Sequence, residues 1–206
     1  MKRLRYNLIA KALMDKKISM ISVADFAKLF KVTTQTASRF LNRHSGENLQ
    51  FLKIKRGLYI FSHNAPIKFE IANNAYRPSY ISFESALSNY NIIPEAVYAI
   101  TSATTNKTKK LEIQGVDYKY YKIKKELFFG YRPVIIQQKT ILMAEKEKAL
   151  LDYAYLISLK KKTINERMNL NKINKNKLGY YINFFIKSIK KNEAFLKIVK
   201  KIYKSL

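Results

Sequence analysis

The chain is 206 residues long, 48% hydrophobic and 13% aromatic, which is enough for one or two packed domains and too apolar for a disordered chain. It has no cysteine, so disulfide frameworks, thiolate nucleophiles and Cys-ligated zinc are excluded, and with His44 and His63 as its two histidines it offers little imidazole for a multi-His metal centre. Forty Lys+Arg against fourteen Asp+Glu give +26, and a compact body with that charge repels itself unless it meets a polyanion.

Lys outnumbers Arg by 32 to 8, as an AT-rich coding sequence would write it. That bias would raise Glu as well, and Glu is scarce. The excess is also uneven. Residues 1–62 hold 13 basic and 3 acidic side chains, residues 63–157 hold 13 and 9, and residues 158–206 hold 14 and 2. Both ends therefore present themselves as polyanion-binding surfaces. No apolar run reaches membrane-span length. Lys2, Arg3 and Arg5 are not followed by the apolar core and cleavage site of a signal peptide, so a cytoplasmic protein with no membrane partner is expected.

Leu4, Leu8, Ile9, Ala12 and Leu13 recur at helical spacing and predict a first helix that ends at Lys16–Lys17. Ser22 is an N-cap for a second short helix, whose apolar stripe is Val23, Phe26, Ala27, Leu29 and Phe30. After a turn at Lys31–Thr33, Thr33 or Thr34 caps a third helix reaching about His44. Ala37, Phe40 and Leu41 form its apolar face. Its other face carries Thr34, Gln35, Thr36, Ser38, Arg39, Asn42 and Arg43, with no acid among them. Such side chains reach base edges and phosphates, and two helices joined by a short turn make the helix-turn-helix pattern. Residues 49–61 then alternate Leu52, Ile54, Leu58 and Ile60 with Lys53, Lys55 and Tyr59 around Arg56–Gly57. This predicts a hairpin with a basic tip, a wing whose Lys53, Lys55 and Arg56 would touch phosphates.

Residues 63–79 contain Pro66 and Pro78 and are expected to form a linker. Ser82 is placed to cap a helix running to about Tyr90, with Glu84 near its positive end. Strands are expected at 97–104, in a hairpin over 110–124 turning at Gly115, and over 134–143. A helix from about Ala144 to Leu159 would be buried on Ala149, Leu150, Tyr153 and Leu156–Ile157. Glu145, Lys146, Glu147, Lys148 and Asp152 on it are expected to make solvated ion pairs and a cap.

Several strings in this stretch carry a resemblance. They are Tyr80-Ile81-Ser82-Phe83-Glu84-Ser85-Ala86-Leu87, Ile93-Pro94-Glu95, Ile100-Thr101-Ser102, Leu127-Phe128-Phe129-Gly130-Tyr131 and Glu147-Lys148-Ala149-Leu150-Leu151-Asp152. Upstream, Thr36-Ala37-Ser38-Arg39-Phe40-Leu41 and Arg56-Gly57-Leu58-Tyr59 join them. From about Ser22 to Leu156 the chain resembles the AbiEi-type antitoxin family. It departs at Asn91, where the family often has Gly, and at Lys146, where the family usually has Pro. The resemblance implies a winged helix-turn-helix domain that represses an antitoxin–toxin operon. It also implies a C-terminal domain that counters a nucleotidyltransferase-type toxin without a stable complex, in abortive phage infection.

After Lys160-Lys161-Lys162 the chain is rich in Asn and Lys. Leu178, Tyr181, Ile182, Phe185, Ile186 and Ile189 predict one amphipathic helix. Phe195, Leu196, Val199, Ile202 and Tyr203 predict a second, with Asn192 between them. Lys187, Lys190, Lys191, Lys197, Lys200, Lys201 and Lys204 fall on the outer faces, as an ordinary solvated surface or a second nucleic-acid surface. There is no Gly-rich phosphate loop. Asp117-Tyr118-Lys119 resembles an Asp-x-Lys nuclease string, but a metal site would need Glu84, Glu95 or Glu112 as a second carboxylate.

The sequence thus predicts an α+β protein. Residues 1–62 form a winged helix-turn-helix, 63–79 a linker, and 80–206 a mixed α/β domain ending in basic amphipathic helices. The expected activity is non-enzymatic, with no cofactor and no metal: a DNA-binding antitoxin and autorepressor acting on double-stranded operator DNA with inverted repeats. The alternative is a winged-helix transcriptional regulator with no antitoxin role.

Overall fold

The computed structural model describes residues 4–46, 49–95, 97–189 and 192–205 of the chain. These form a mixed α+β protein that divides into two units, Met1–Ile71 and Ala72–Leu206. No helix among the described residues is long and apolar enough to cross a membrane.

In the first unit the order is α1 (Tyr6–Asp15), β1 (Met20–Ser22), α2 (Val23–Phe30), α3 (Thr34–Arg43), β2 (Phe51–Lys55) and β3 (Leu58–Phe61). The strands pair antiparallel in the order β1-β3-β2. Three residues of β1 are too few for alternation to reveal, so this strand has no sequence signal. Ile9, Leu13, Phe26, Ala37, Leu41, Phe51, Tyr59 and Phe61 form the core. Leu8, expected in the stripe of α1, is instead exposed, and Ala10 is buried. The hairpin also differs from its expected facing. Tyr59 lies opposite Lys53 in register but is buried in the core, because its ring shares a face with Phe51 and Phe61.

The segment expected as a linker contains helix α4 (Lys68–Ala75), with Ile71, Ala72 and Ala75 buried. The division between the units falls within this helix. Two prolines bracket the segment, but the apolar spacing between them is helical.

The second unit is built on a six-stranded mixed sheet of order β6-β7-β5-β4-β9-β8. Its strands are β4 (Ser79–Ile81), β5 (Ile100–Thr104), β6 (Lys109–Ile113), β7 (Val116–Lys122), β8 (Tyr131–Ile136) and β9 (Lys139–Ala144). The pairs β6–β7 and β8–β9 are hairpins, while β5 runs parallel to β7 and β4 parallel to β9. The α-helices that follow α4 are α5 (Phe83–Asn89), α6 (Lys146–Ser158), α7 (Lys175–Ile189) and α8 (Glu193–Lys204).

The step from β4 to α5 is sharp, and it puts the buried Phe83 at a φ of 55°. A bulky side chain in that region is strained, so the surroundings must hold it. Ser82 stands at the N-cap position, yet its hydroxyl makes no cap bond. It donates instead to Asp152 Oδ2 at 2.8 Å. Thr101 supplies the missing cap: its Oγ1 accepts from the Ser85 N–H at 3.1 Å and donates to the Ser82 carbonyl at 2.8 Å. The Ser85 hydroxyl accepts from the Thr101 N–H at 2.8 Å.

Helix α6 overturns the expectation of solvated charges. Every residue from Glu147 to Leu156 is buried, and Lys148 and Asp152 are both 0% exposed. The two form an ion pair one helical turn apart. Asp152 Oδ2 also accepts from the Tyr80 hydroxyl at 2.9 Å, and Lys148 Nζ donates to the Tyr80 oxygen at 2.8 Å. The rings of Tyr80, Phe129 and Phe185 stand 5.1–5.4 Å from the ammonium. Gly130, with a φ of 68°, lies so close that a Cβ there would sit 3.0 Å from Lys148 Cγ. Burial drives the Lys148 pKa down and the Asp152 pKa up, and it raises that of Tyr80 well above the usual phenol value.

Removing one partner of such a pair leaves an uncompensated buried charge, at a cost of about 3–5 kcal/mol. Lys148→Met is therefore expected to lower the unfolding free energy by about that amount at pH 7, measured by urea titration of the full chain. Without Lys148, the folded-state pKa of Asp152 stands further above its unfolded value. A raised carboxyl pKa gives stability that is present at low pH and lost as pH rises through the folded pKa. The deficit should accordingly shrink between pH 7 and pH 5. An equal deficit at both values would mean that Asp152 does not carry the charge.

Candidate nucleic-acid interface

The residue types that recognise nucleic acid gather on α3 and the β2–β3 hairpin. Helix α3 begins cleanly because Thr33 is extended and its Oγ1 accepts from the Thr36 N–H at 3.2 Å. The turn before it is tight. Lys31 takes a left-handed conformation at φ 52°, and the Val32 N–H reaches back to the Ala27 carbonyl at 3.0 Å. This closes α2 in the manner of a Schellman motif. Ala37, Phe40 and Leu41 hold the inner face of α3 in the core, and Phe26 stacks on Phe40 at 5.4 Å.

Burying that stripe turns the polar face outward. Thr34, Gln35, Arg39, Asn42 and Arg43 are exposed, while Thr36 and Ser38 are half-buried. Gln35, Arg39 and Asn42 follow i, i+4, i+7 spacing and share one face. Thr36 is engaged with Thr33, their hydroxyl oxygens 2.9 Å apart. No acidic residue occurs on the helix. The nearest acid upstream, Asp25, is occupied at the start of α2, where it accepts from the Ser22 hydroxyl at 2.6 Å.

Asn42 has a second role that the sequence pattern did not reveal. Its Oδ1 accepts from the Tyr59 hydroxyl at 2.8 Å and from Lys53 Nζ at 3.2 Å, and its Nδ2 donates to Ser38 Oγ at 3.3 Å. Burial raises the Tyr59 phenol pKa, which keeps it a donor. Asn42 thereby fastens the base of the hairpin to the C-terminal half of α3. Lys53 is drawn towards α3, whereas Lys55 and the exposed Arg56 lie at the hairpin tip. Gly57 takes a φ of 79° there, which lets the chain reverse. Alternation places Tyr59 with the outward lysines, so its hydroxyl alone hinted at this link.

The remaining candidates lie elsewhere. The His44 ring packs on Tyr6 and Phe40, and His63 stacks on Phe61. Asp117 is ion-paired with Lys110 at 3.0 Å, across the β6–β7 hairpin. Glu84, one of the carboxylates a metal site there would need, is paired with Lys162 at 2.5 Å. Among the described residues no group of three or more His, Asp or Glu side chains is placed to hold a metal ion. On the C-terminal helices Lys187, Lys197, Lys200, Lys201 and Lys204 are exposed, and Lys190 and Lys191 lie outside the described residues.

No protein-family model matches the chain, and no curated protein matches it in sequence.

Tyr59→Phe removes one hydrogen bond to Asn42 and keeps the ring in the core. It should cost about 1 kcal/mol in urea unfolding. A variant as stable as the wild type would show that the hydroxyl does not fasten the hairpin to α3.

Proposed function

We propose that this chain is a sequence-specific DNA-binding protein, and that it serves as antitoxin and autorepressor of an antitoxin–toxin operon. The DNA-binding half rests on one observation: an acid-free, ten-residue helix exposes Gln35, Arg39, Asn42 and Arg43 beside a hairpin tipped by Lys55 and Arg56. The element order α1-β1-α2-α3-β2-β3 suits a winged helix-turn-helix, with α3 as recognition helix and the hairpin as wing. At about 1.5 Å per residue, α3 is about 15 Å long, a length that lies readily in the major groove. Arg39 suits a bidentate contact to guanine and Gln35 to adenine. Thr34, Thr36, Ser38 and Arg43 suit contacts to flanking phosphates, as do the wing cations.

The antitoxin half rests on the resemblance to the AbiEi-type family, and the backbone at the two departures is compatible with the residues that family carries there. Asn91 stands where the family often has Gly, and its φ is 52°, in the region that Gly fills most readily and Asn next. The N–H groups of Asn91 and Ile92 return to the carbonyls of Ser88 and Leu87, so this residue ends α5. Lys146 stands where the family usually has Pro, and it is the first residue of α6. That is the one helical position where Pro is favoured. Each departure falls where the backbone explains the family's residue.

Arg39→Ala should weaken operator binding by about 1–3 kcal/mol and relax the preference at one base position. Binding-site selection that returns the same consensus and affinity would overturn the assignment of α3.

Replacing Lys53, Lys55 and Arg56 with Gln should weaken specific and random duplex binding alike. The log–log salt slope should fall by about 0.9 for each phosphate that is no longer neutralised. A weakening confined to the specific sequence would reassign the hairpin to base reading.

The antitoxin half predicts a nucleotidyltransferase gene beside this one, and it is tested in cells expressing that gene from an unrelated promoter. Full-length Arg39→Ala should still rescue growth despite its weakened operator binding. Failure to rescue would leave a regulator that protects only by silencing the toxin gene.

A further inference from the structure

The C-terminal helices carry an apolar surface that the DNA-binding reading does not use. Helices α7 and α8 form a hairpin, with Asn192 capping α8 through a 3.0 Å bond from the Phe195 N–H to its Oδ1. Leu178, Tyr181, Phe185 and Ile189 of α7 and Phe195, Val199 and Ile202 of α8 are buried, and Phe185 stacks on Phe195 at 5.5 Å. The expected apolar stripes are wider than this. Ile182, Ile186, Leu196 and Tyr203 line a furrow of about 710 Å³ between the two helices. Ile186 is 39% exposed and Tyr203 37%. Gly179 lies at the furrow beside Tyr203, where an added Cβ would still be 3.9 Å from the phenol oxygen. On the other flank of α7, Tyr180 and Phe184 are also exposed and extend the apolar surface. Apolar patches of this kind on a charged protein mark places where something docks.

The rim of the furrow is basic. Lys200 and Lys204 line it, and Lys175 Nζ stands 4.8 Å over the Tyr203 ring. We propose that the furrow between α7 and α8 receives an acidic amphipathic helix from another protein. Its apolar ridge would fill the row Ile182, Ile186, Leu196 and Tyr203, and its carboxylates would meet the rim lysines. The mode is that of a helix laid in a groove, reading anchors at i, i+3 or i+4, and i+7. Helix α7, fifteen residues long, runs about 22 Å, room for three to four turns of a partner. Charge decides against a second copy of this chain, because residues 158–206 hold 14 basic and 2 acidic side chains and two rims would repel. Chemistry disfavours nucleic acid, because the aliphatic row Ile182, Ile186, Leu196 and Val199 offers phosphates no donor and a sugar-phosphate chain would leave it uncovered. Shape decides against a lipid surface, which meets a flat or convex apolar face rather than a furrow.

The test uses the full-length protein and two fluorescent peptides of about 18 residues, long enough for five turns of helix. Both contain the same Leu and Glu residues. In one the leucines fall on a single helical face, and in the other they are scattered. Anisotropy in about 0.15 M salt, where surface charge is screened beyond ~8 Å, should show the amphipathic peptide binding at least about tenfold more tightly. Ile186→Lys keeps the sign of the rim and spoils the apolar row, so it should erase that difference. Tyr203→Lys, also at an exposed position, should do the same and serves if the first variant proves misfolded by circular dichroism. Equal binding of the two peptides would overturn the proposal, as would a preference that neither substitution changes. So would Ile186-dependent binding to phosphatidylglycerol vesicles without any peptide preference. Sedimentation showing a dimer that Ile186→Lys dissociates would also overturn it, in favour of self-association.

Discussion

The C-terminal unit is organised around two opposite charges with no access to water. Removing Lys148 and Asp152 from solvent is costly, and their mutual attraction compensates only if the remaining lone pairs and protons also find partners. They do. Tyr80 and Ser82, two residues apart on and just after β4, both donate to Asp152, and Lys148 donates to Tyr80. That set of bonds allows only one placement of α6 against β4, since sliding the helix by a turn would strand a charge. It also explains why the Ser82 hydroxyl is unavailable to cap α5, and why Thr101 on the neighbouring strand takes over that duty.

The same pair sets what can surround it. The aliphatic stem of Lys148 needs a neighbour without a side chain, and Gly130 provides it. The ammonium is walled by Phe129 and Phe185, so β8's approach and the inner face of α7 are tied to the same residue. Glu147, the preceding residue of the helix, accepts from the Asn174 N–H at 2.9 Å at the start of α7. Glu145 is held below its ordinary carboxyl range. Burial pushes it up, but hydrogen bonds from Tyr181 and Lys177 and the charges of Lys177 and Arg132 outweigh that. Charged side chains at one end of α6 thus position α7, and with it the furrow shared with α8.

Charge is distributed differently in the two units. In the first, Arg39, Arg43, Lys53, Lys55 and Arg56 lie on α3 and the hairpin, and the nearest upstream acid, Asp25, is already occupied by Ser22. In the second, many cations are paired or placed over rings: Lys110 with Asp117, Lys162 with Glu84, Lys177 with Glu145, Lys175 over Tyr203. The sheet region is close to electrically balanced, and the surplus reappears on α7 and α8. A polyanion suits the first unit. An apolar furrow with a basic rim suits an acidic protein surface, and the two sites do not compete for the same chemistry.

By itself the sequence determined the α+β class, the three N-terminal helices, both basic ends, the Gly57 and Gly115 turns and the acid-free face of α3. Each of these follows from short-range rules: apolar period, cap residues, turn residues and net charge. What it could not determine are features made by residues far apart in the chain. Strands β1 and β4 are three residues long and exist because β3, β5 and β9 pair with them. Tyr59 reads as an outward position by alternation, and only the core of the first unit turns it towards Asn42. Lys148 and Asp152 at i, i+4 look like an ordinary surface pair, because local spacing does not say whether a helix lies on the protein or inside it. Burial is a property of everything packed around a residue, and that is why tertiary structure alone decided it.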